Sequence, residues 1–182
     1  VGFTIRKASF DVDSVSVADK TAVFDGTEHE ISVSGLPDGL KVSLTYDGDK
    51  VNAGKANVTI KFDFDELASQ YEQYKANYEL PENMSAVLEI LPKEVSVEWL
   101  EKEFVYDGTD QTEEFNVGFA WYTAIDGSKV SLAYTVFNGS IFKDAGTYLF
   151  RAEQPKDANY KLAAYGNEKS YTMQTRKITV TA

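Results

Sequence analysis

The stretch "FVYDGTDQ" (104–111) repeats an earlier one, "AVFDGTEH" (22–29), with an aromatic residue, Asp, Gly and Thr in the same order. Gly can adopt positive φ at little cost, and the Asp carboxylate before it can accept hydrogen bonds from nearby backbone N–H groups. Each copy therefore predicts a tight turn closed by an aromatic side chain. The residues of this predicted structural motif are Phe24, Asp25, Gly26, Tyr106, Asp107 and Gly108.

Three further matches follow in the same order along the chain. They pair "KVSLTY" (41–46) with "KVSLAY" (129–134), "NAG" (52–54) with "DAG" (144–146), and "ANY" (76–78) with "ANY" (158–160). The order is preserved while the spacing drifts, which indicates loop insertions in a shared framework. We predict two homologous domains, 10–92 and 93–182, with 1–9 as a leader or the last strand of a preceding repeat.

A lysine follows a strand-like run at three places: Lys7, Lys93 and Lys177. Each is followed by another segment of alternating apolar residues. This pattern predicts that the chain belongs to a longer array, in which neighbouring repeats of the same polypeptide are partners.

Short runs of alternating apolar and polar residues, separated by turn dipeptides such as Asp47-Gly48 and Asn138-Gly139, are typical of half-buried antiparallel strands. Two of the predicted strands are Glu28–Val33 and Val95–Trp99. They predict an all-β protein of two tandem immunoglobulin-like β-sandwiches. Apolar residues spaced four, three and four apart from Leu67 to Tyr78 predict one helix inserted in the first domain, starting near an N-cap at Asp65. The alternative is a β-grasp-like α+β unit, which a matching helix in the second domain would favour.

Composition narrows the function classes. The chain of 182 residues has a formal net charge of −11, which disfavours nucleic acid and anionic membranes as partners. It contains no cysteine, so disulfides, thiolate metal sites and cysteine nucleophiles are excluded. No apolar run is long enough to cross a bilayer, and we expect no membrane insertion of these residues.

Neither catalysis nor metal binding has a clear signature. The single histidine, His29, lies in a presumed strand without the convergent partners of a hydrolase triad, and we expect its side chain at the surface. Carboxylates cluster at Asp11 and Asp13 and at Glu113 and Glu114, yet no segment completes a calcium-binding EF-hand loop. We predict a protein that is not an enzyme and has no cofactor or metal site, with structural Ca²⁺ as a minor alternative.

Two aromatic segments in the second domain are candidate functional positions. Phe119, Trp121 and Tyr122 lie in an insertion of that domain, where they either pack in the core or stack on a glycan. Asp144 and Tyr148 have the spacing of a tyrosine corner, in which the phenol bonds the backbone at a strand-to-strand corner.

The motif set as a whole resembles the tandem MBG or YDG-type repeats of large bacterial cell-surface proteins and adhesins. The resemblance spans both copies, although Ala56 stands where the second copy has Tyr148. It implies an extracellular, wall- or membrane-attached protein in which these domains form a stalk or spacer. The alternative is a module that binds a host glycan, mucin or protein receptor through the aromatic segment of the second copy.

Overall fold

The computed structural model describes residues 2–111, 118–138 and 142–180. The chain divides into two compact units, Val1–Pro92 and Lys93–Ala182. The fold is all-β and sandwich-like, with one helix among the described residues. Each unit is built from a four-stranded sheet and smaller sheets, and both are described separately below.

The first unit contains eight strands and the helix. Their bounds are β1 (Ala8–Ser9), β2 (Ser16–Val17), β3 (Lys20–Val23), β4 (Val33–Ser34), β5 (Leu40–Tyr46), β6 (Gly54–Phe64), α1 (Tyr71–Asn77), β7 (Tyr78–Glu79) and β8 (Met84–Leu91). The main sheet has the order β3-β8-β6-β5, in which β3 is parallel to β8 and the other pairs are antiparallel. β2 pairs with β4, and β1 pairs in parallel with β7.

The second unit contains nine described strands. Their bounds are β9 (Lys93–Val95), β10 (Glu98–Trp99), β11 (Phe104–Val105), β12 (Ala120–Thr123), β13 (Lys129–Ser131), β14 (Tyr134–Val136), β15 (Gly146–Ala152), β16 (Tyr160–Leu162) and β17 (Glu168–Gln174). The main sheet has the order β11-β17-β15-β14, again with a parallel first pair. β10, β12 and β13 form a second sheet, and β9 pairs in parallel with β16.

The two main sheets share the same register as well as the same strand order. Equivalent rows across three strands are Ala22–Ile90–Gly54 in the first unit and Phe104–Met173–Gly146 in the second. This register corrects one of the sequence matches. Leu44, opposite Ile60, is the counterpart of Tyr134, opposite Ala152, so "KVSLTY" and "KVSLAY" are displaced by two residues in space.

The displacement arises because β5 is continuous while its counterpart is split. In the second unit the first half, β13, pairs with β12 in the smaller sheet, and the second half, β14, pairs with β15 in the main sheet. Leu132 lies at the break and donates its N–H to the carbonyl of Ala120 at 2.8 Å.

Equivalent core positions carry different side chains in the two units. At four equivalent positions the first unit buries an aliphatic residue where the second buries an aromatic residue or methionine. The counterparts are Ala56 and Tyr148, Val58 and Phe150, Leu88 and Tyr171, and Ile90 and Met173. Both choices fill the interior of the same sheet, which shows that the framework tolerates a change of core as long as the alternation is kept.

The small sheets close the cores. In the first unit Val17 of β2 and Val33 of β4 pack against a cluster that includes Phe62 of β6. In the second unit Trp99 of β10 packs edge-on against Phe119, with ring centroids 5.7 Å apart, and Phe119 lies 5.0 Å from Phe150 of β15. Residues of two sheets therefore meet in each core, as in a sandwich.

The helix differs from its prediction at its start. It spans only Tyr71–Asn77 and begins after Gln70, while Asp65 instead accepts the N–H of Leu67 in a preceding turn. Leu67 is 93% exposed and does not belong to an apolar helix face. The helix has about two turns. Its Tyr74 and the following Tyr78 of β7 pack on Phe10, at ring-centroid distances of 5.6 and 4.7 Å.

Some predicted strand boundaries also differ. Glu28–Val33 is not a continuous strand, because only Val33–Ser34 pairs, and Val95–Trp99 divides between β9 and β10. Ala8–Ser9, in the segment predicted to be a leader or the last strand of a preceding repeat, pairs with Tyr78–Glu79. The β-grasp alternative is not supported, since the described part of the second unit contains no helix.

Candidate functional site

The repeated aromatic-Asp-Gly-Thr motif forms the same turn in both units. Asp25 Oδ1 accepts the backbone N–H of Thr27 at 2.9 Å and its hydroxyl at 2.7 Å. Asp107 Oδ1 accepts the same two groups of Thr109 at 2.8 and 2.7 Å. Gly between them has φ of 78° in the first turn and 86° in the second, a conformation that favours glycine.

These contacts lower the pKa of both aspartates, chiefly through the Thr hydroxyl and then through the Thr backbone N–H. The turn follows the first strand of each main sheet. The N–H of Phe24 bonds the carbonyl of Leu91, and that of Tyr106 bonds the carbonyl of Gln174, both at 2.9 Å. The motif thus ends the parallel strand pair in each unit, and its role is architectural.

The aromatic residue of the motif behaves differently in the two copies. Phe24 is buried in the first unit, as expected for a side chain that closes the core. Tyr106 is 38% exposed, so the same expectation is wrong for the second unit. There the core beneath is filled by Phe104, which packs edge-on against Phe142 with centroids 4.9 Å apart.

His29 lies beside the first motif, with a mostly buried side chain rather than the surface position expected. Its Nε2 is 3.2 Å from Asp25 Oδ1, the oxygen that also accepts the Thr27 hydroxyl. The carboxylate therefore stands between the hydroxyl and the imidazole. A hydrolase triad needs the imidazole next to the nucleophile, so this arrangement does not activate Thr27.

The second-unit corner has the contact expected of a tyrosine corner. The Tyr148 hydroxyl donates to the backbone carbonyl of Asp144 at 2.9 Å. The ring packs against Phe142, with centroids 4.7 Å apart. Ala56 occupies the equivalent place in the first unit, which has no such hydroxyl.

The aromatic segment of the second unit is mostly interior. Phe119 and Tyr122 are each 1% exposed, and Tyr122 packs on Tyr160 with centroids 4.9 Å apart. Burial raises the pKa of Tyr122, with smaller contributions from the nearby Asp157 and Tyr160. The expectation that Phe119 and Tyr122 stack on a ligand is thus contradicted. Alternation along β12 turns Ala120 and Tyr122 inward, while Phe119 precedes the strand and joins the aromatic core of the unit.

Trp121, between them on β12, remains partly exposed. Lys129 Nζ lies 4.3 Å from the centre of its ring. The indole N–H is buried and makes no hydrogen bond of normal geometry with the described residues. The pKa of Glu98 is lowered chiefly by the hydroxyl of Thr123, and the nearby indole N–H lowers it further. One face of the indole is therefore already occupied by a cation.

The acidic loops use their oxygens internally. Asp47 accepts the side chain and backbone N–H of Asn57, and Asp49 accepts those of Asn52. These bonds lower the pKa of Asp49 from 3.8 to about 2. Among the described residues no three His, Cys, Asp or Glu side chains come together as a metal site. Glu113 and Glu114 lie outside the described residues.

Sequence reasoning missed the most exposed aromatic side chain among the described residues of the second unit. Tyr165 is 89% exposed on the loop between β16 and β17. It borders a cavity of about 510 Å³, which Arg151 and Glu168 also line. No motif marks this position, because an isolated tyrosine in a polar loop carries no periodic signal.

Comparison with protein families finds a match for one part of the chain. Residues 13–62, within the first unit, match the MBG domain, a repeat module rather than an enzyme family. The match covers 50 of the 182 residues and includes the first aromatic-Asp-Gly-Thr motif. No curated protein matches the chain. In the described part of the chain, no helix has the length and apolar character needed to cross a membrane.

Proposed function

We propose that this chain is a non-enzymatic tandem repeat module that acts as a stalk or spacer in an extracellular, surface-attached bacterial protein of the adhesin type. The observation that carries this proposal is the shared strand order and register of the two main sheets. Two copies of one framework add length to a polypeptide without adding a new site. The MBG match in the first unit supports a repeat module of surface proteins.

The junction between the units supports a spacer of restricted flexibility. β8 ends at Leu91 and β9 begins at Lys93, so Pro92 alone separates the last strand of one unit from the first strand of the next. A one-residue connection that contains proline has few conformations compared with a Gly- or Ser-rich linker. We expect a narrow range of inter-unit geometries.

Neighbouring repeats of the same polypeptide are the proposed partners. Arg176–Val180 repeats the alternation of Lys93–Val97, in which Val95 is buried. Its counterpart Ile178 is 86% exposed, and Val180 is equally exposed. Exposed apolar residues in a strand-like pattern indicate a segment that is covered when a further unit is present.

The spacer proposal is tested by a distance distribution between the units. The absence of native cysteine allows spin labels at the exposed positions Thr45→Cys and Ser170→Cys, measured by double electron–electron resonance. A matched variant carries a Gly-Ser-Gly-Ser insertion after Pro92. We expect a narrow distribution without the insertion and a broad one with it; equally broad distributions would contradict a spacer of defined length.

The alternative of a glycan or receptor module using the aromatic segment now rests on Trp121 alone. Its ring borders a shallow depression of about 200 Å³ with Leu100 and Lys129. Trp121→Ala, which removes the ring while Phe119 and Tyr122 stay in the core, tests that alternative. Loss of binding to a mucin or glycan that the parent protein binds would favour it over the spacer alone.

A further inference from the structure

The loop between β16 and β17 holds an exposed aromatic side chain on a fixed backbone. The indole N–H of Trp99 donates to the carbonyl of Gly166 at 3.3 Å, and the side-chain amide of Asn167 donates to the carbonyl of Ala163 at 2.8 Å. Tyr165 projects from this anchored loop into solvent, and its hydroxyl bonds none of the described residues. A rigid, exposed tyrosine offers a large contact area at low entropic cost.

The cavity beside Tyr165 is lined by polar side chains. Arg151, Gln154, Asn167 and Glu168 surround a space of about 510 Å³, which lies within the usual range of small-molecule sites. The side-chain oxygen of Asn167 is buried and accepts no hydrogen bond from the described residues. Because this oxygen lies beneath the surface, the charged groups within reach of a ligand are those of Arg151 and Glu168, whose side chains are 51% and 42% exposed.

Arg151 is held in place from two sides. Its guanidinium lies 4.2 Å from the centre of the Phe137 ring, and its Nε is 2.6 Å from Glu168 Oε1, an oxygen that Nη2 also contacts. The pair has no net charge, and it still presents N–H donors of the guanidinium and the second carboxylate oxygen of Glu168. Such a surface suits hydroxyl groups better than a strong anion.

The first unit serves as an internal control. Arg151 and Glu168 are directly opposite each other in the main sheet, at the positions that Thr59 and Ser85 occupy in the first unit. The first unit forms the same sheet with these small polar residues. The fold therefore does not require the Arg–Glu pair, and its presence in the second unit calls for another explanation.

The geometry points to a binding site for neutral saccharides in the second unit, in which Tyr165 stacks on a sugar ring and Arg151 and Glu168 bond its hydroxyls. Aromatic platforms combine with planar polar side chains to recognise rings that have an apolar face and polar edges. The formal charge of −11 and the paired state of Arg151 disfavour acidic saccharides. This site is distinct from Trp121 and does not depend on the spacer proposal.

The site is tested with an array of neutral hexose and N-acetylhexosamine oligosaccharides, with sialylated and sulfated oligosaccharides as anionic controls and proline-rich peptides as a second ligand class. Affinity for the best neutral oligosaccharide is then measured by biolayer interferometry for the unmodified chain, Tyr165→Ala, Tyr165→Phe and Trp121→Ala. Circular dichroism verifies that each variant remains folded. Since Tyr165 is almost fully exposed, its substitution leaves the fold intact.

We expect Tyr165→Ala to weaken binding at least about tenfold, equivalent to about 1.4 kcal/mol, because the stacking surface is lost. Tyr165→Phe keeps the ring, and its affinity should lie within about threefold of that of the unmodified chain. The affinity of Trp121→Ala should equal that of the unmodified chain. No binding to any neutral oligosaccharide, or binding to peptides or acidic saccharides only, would overturn the assignment. So would binding that Trp121→Ala abolishes and Tyr165→Ala preserves.

Discussion

Replacement of Tyr148 by Phe isolates the hydrogen bond of the tyrosine corner. The hydroxyl donates to the Asp144 carbonyl at 2.9 Å, while the ring packs on Phe142 and is unaffected by the change. A neutral hydrogen bond of this kind contributes about 0.5–1.5 kcal/mol. Because Asp144 lies in an exposed segment, water can replace the lost donor, and we expect a loss near the middle of that range, about 1 kcal/mol.

The composition supplies a selective probe for this change. Both tryptophans, Trp99 and Trp121, lie in the second unit, so tryptophan fluorescence follows the unfolding of that unit alone. A loss of about 1 kcal/mol should lower its melting temperature by roughly 4–8 °C, or its urea midpoint by roughly 1 M. Far-UV circular dichroism reports on both units and should show that the unfolding transition of the first unit is unchanged.

Tyr165→Phe is the matched control, because it removes a hydroxyl that bonds none of the described residues of the same unit. It should leave the midpoint where it is. If Tyr148→Phe shifts the midpoint no more than this control does, the hydroxyl contributes nothing and the corner is not a stabilising contact. The larger truncation Tyr148→Ala adds a cavity and should cost about 3–5 kcal/mol.

The remaining predictions concern the turns and the carboxylates. Asp107→Ala removes the acceptor for two Thr109 groups and should lower the urea midpoint of the second unit, followed by tryptophan fluorescence. Asp107→Asn keeps an oxygen and should lower that midpoint less; equal losses would refute the assigned contact. Gly35→Ala places a Cβ 2.0 Å from the Ser14 carbonyl oxygen at φ of 75°, and should reduce stability by circular dichroism far more than Gly127→Ala, where φ is also positive but no atom lies within 4 Å; similar effects would contradict the close approach. The pKa values of Asp25, Asp49 and Asp107 are lowered in the folded state. The stability that these three carboxylates contribute to the folded protein is therefore complete above about pH 4 and is lost as the pH falls toward 2. Urea midpoints that do not decline from pH 5 to pH 2.5 would count against these hydrogen bonds.

The features that sequence predicts well here are local or repeated. The turn at Asp25 and Asp107 follows from short-range chemistry, since the carboxylate and the glycine act within three residues. The long strands β5 and β6 follow from period-two alternation. The tandem arrangement stays a prediction from self-similarity, which needs no knowledge of which strands pair.

The features that it predicts poorly depend on contacts between distant segments. The position of Tyr106 outside the core and of Tyr122 within it is decided by which sheet each strand joins, a long-range choice. The helix begins at Tyr71 rather than near Asp65, because the Asp65 carboxylate accepts the N–H of Leu67 in a separate turn. The loop that carries Tyr165 is anchored by hydrogen bonds from Trp99 and Asn167, which the sequence does not predict.

One sheet framework, with one register, occurs twice along the chain. Cross-strand nuclear Overhauser effects in the intact 20.2 kDa chain measure the strand register in each unit. The structure predicts contacts between paired residues of the parallel strands in both units, Ala22 with Ile90 and Phe104 with Met173. Detection of both pairs would establish the repeated register. Absence of either pair, or a shift of one pairing by a residue relative to the other, would contradict the duplication on which the proposed function rests.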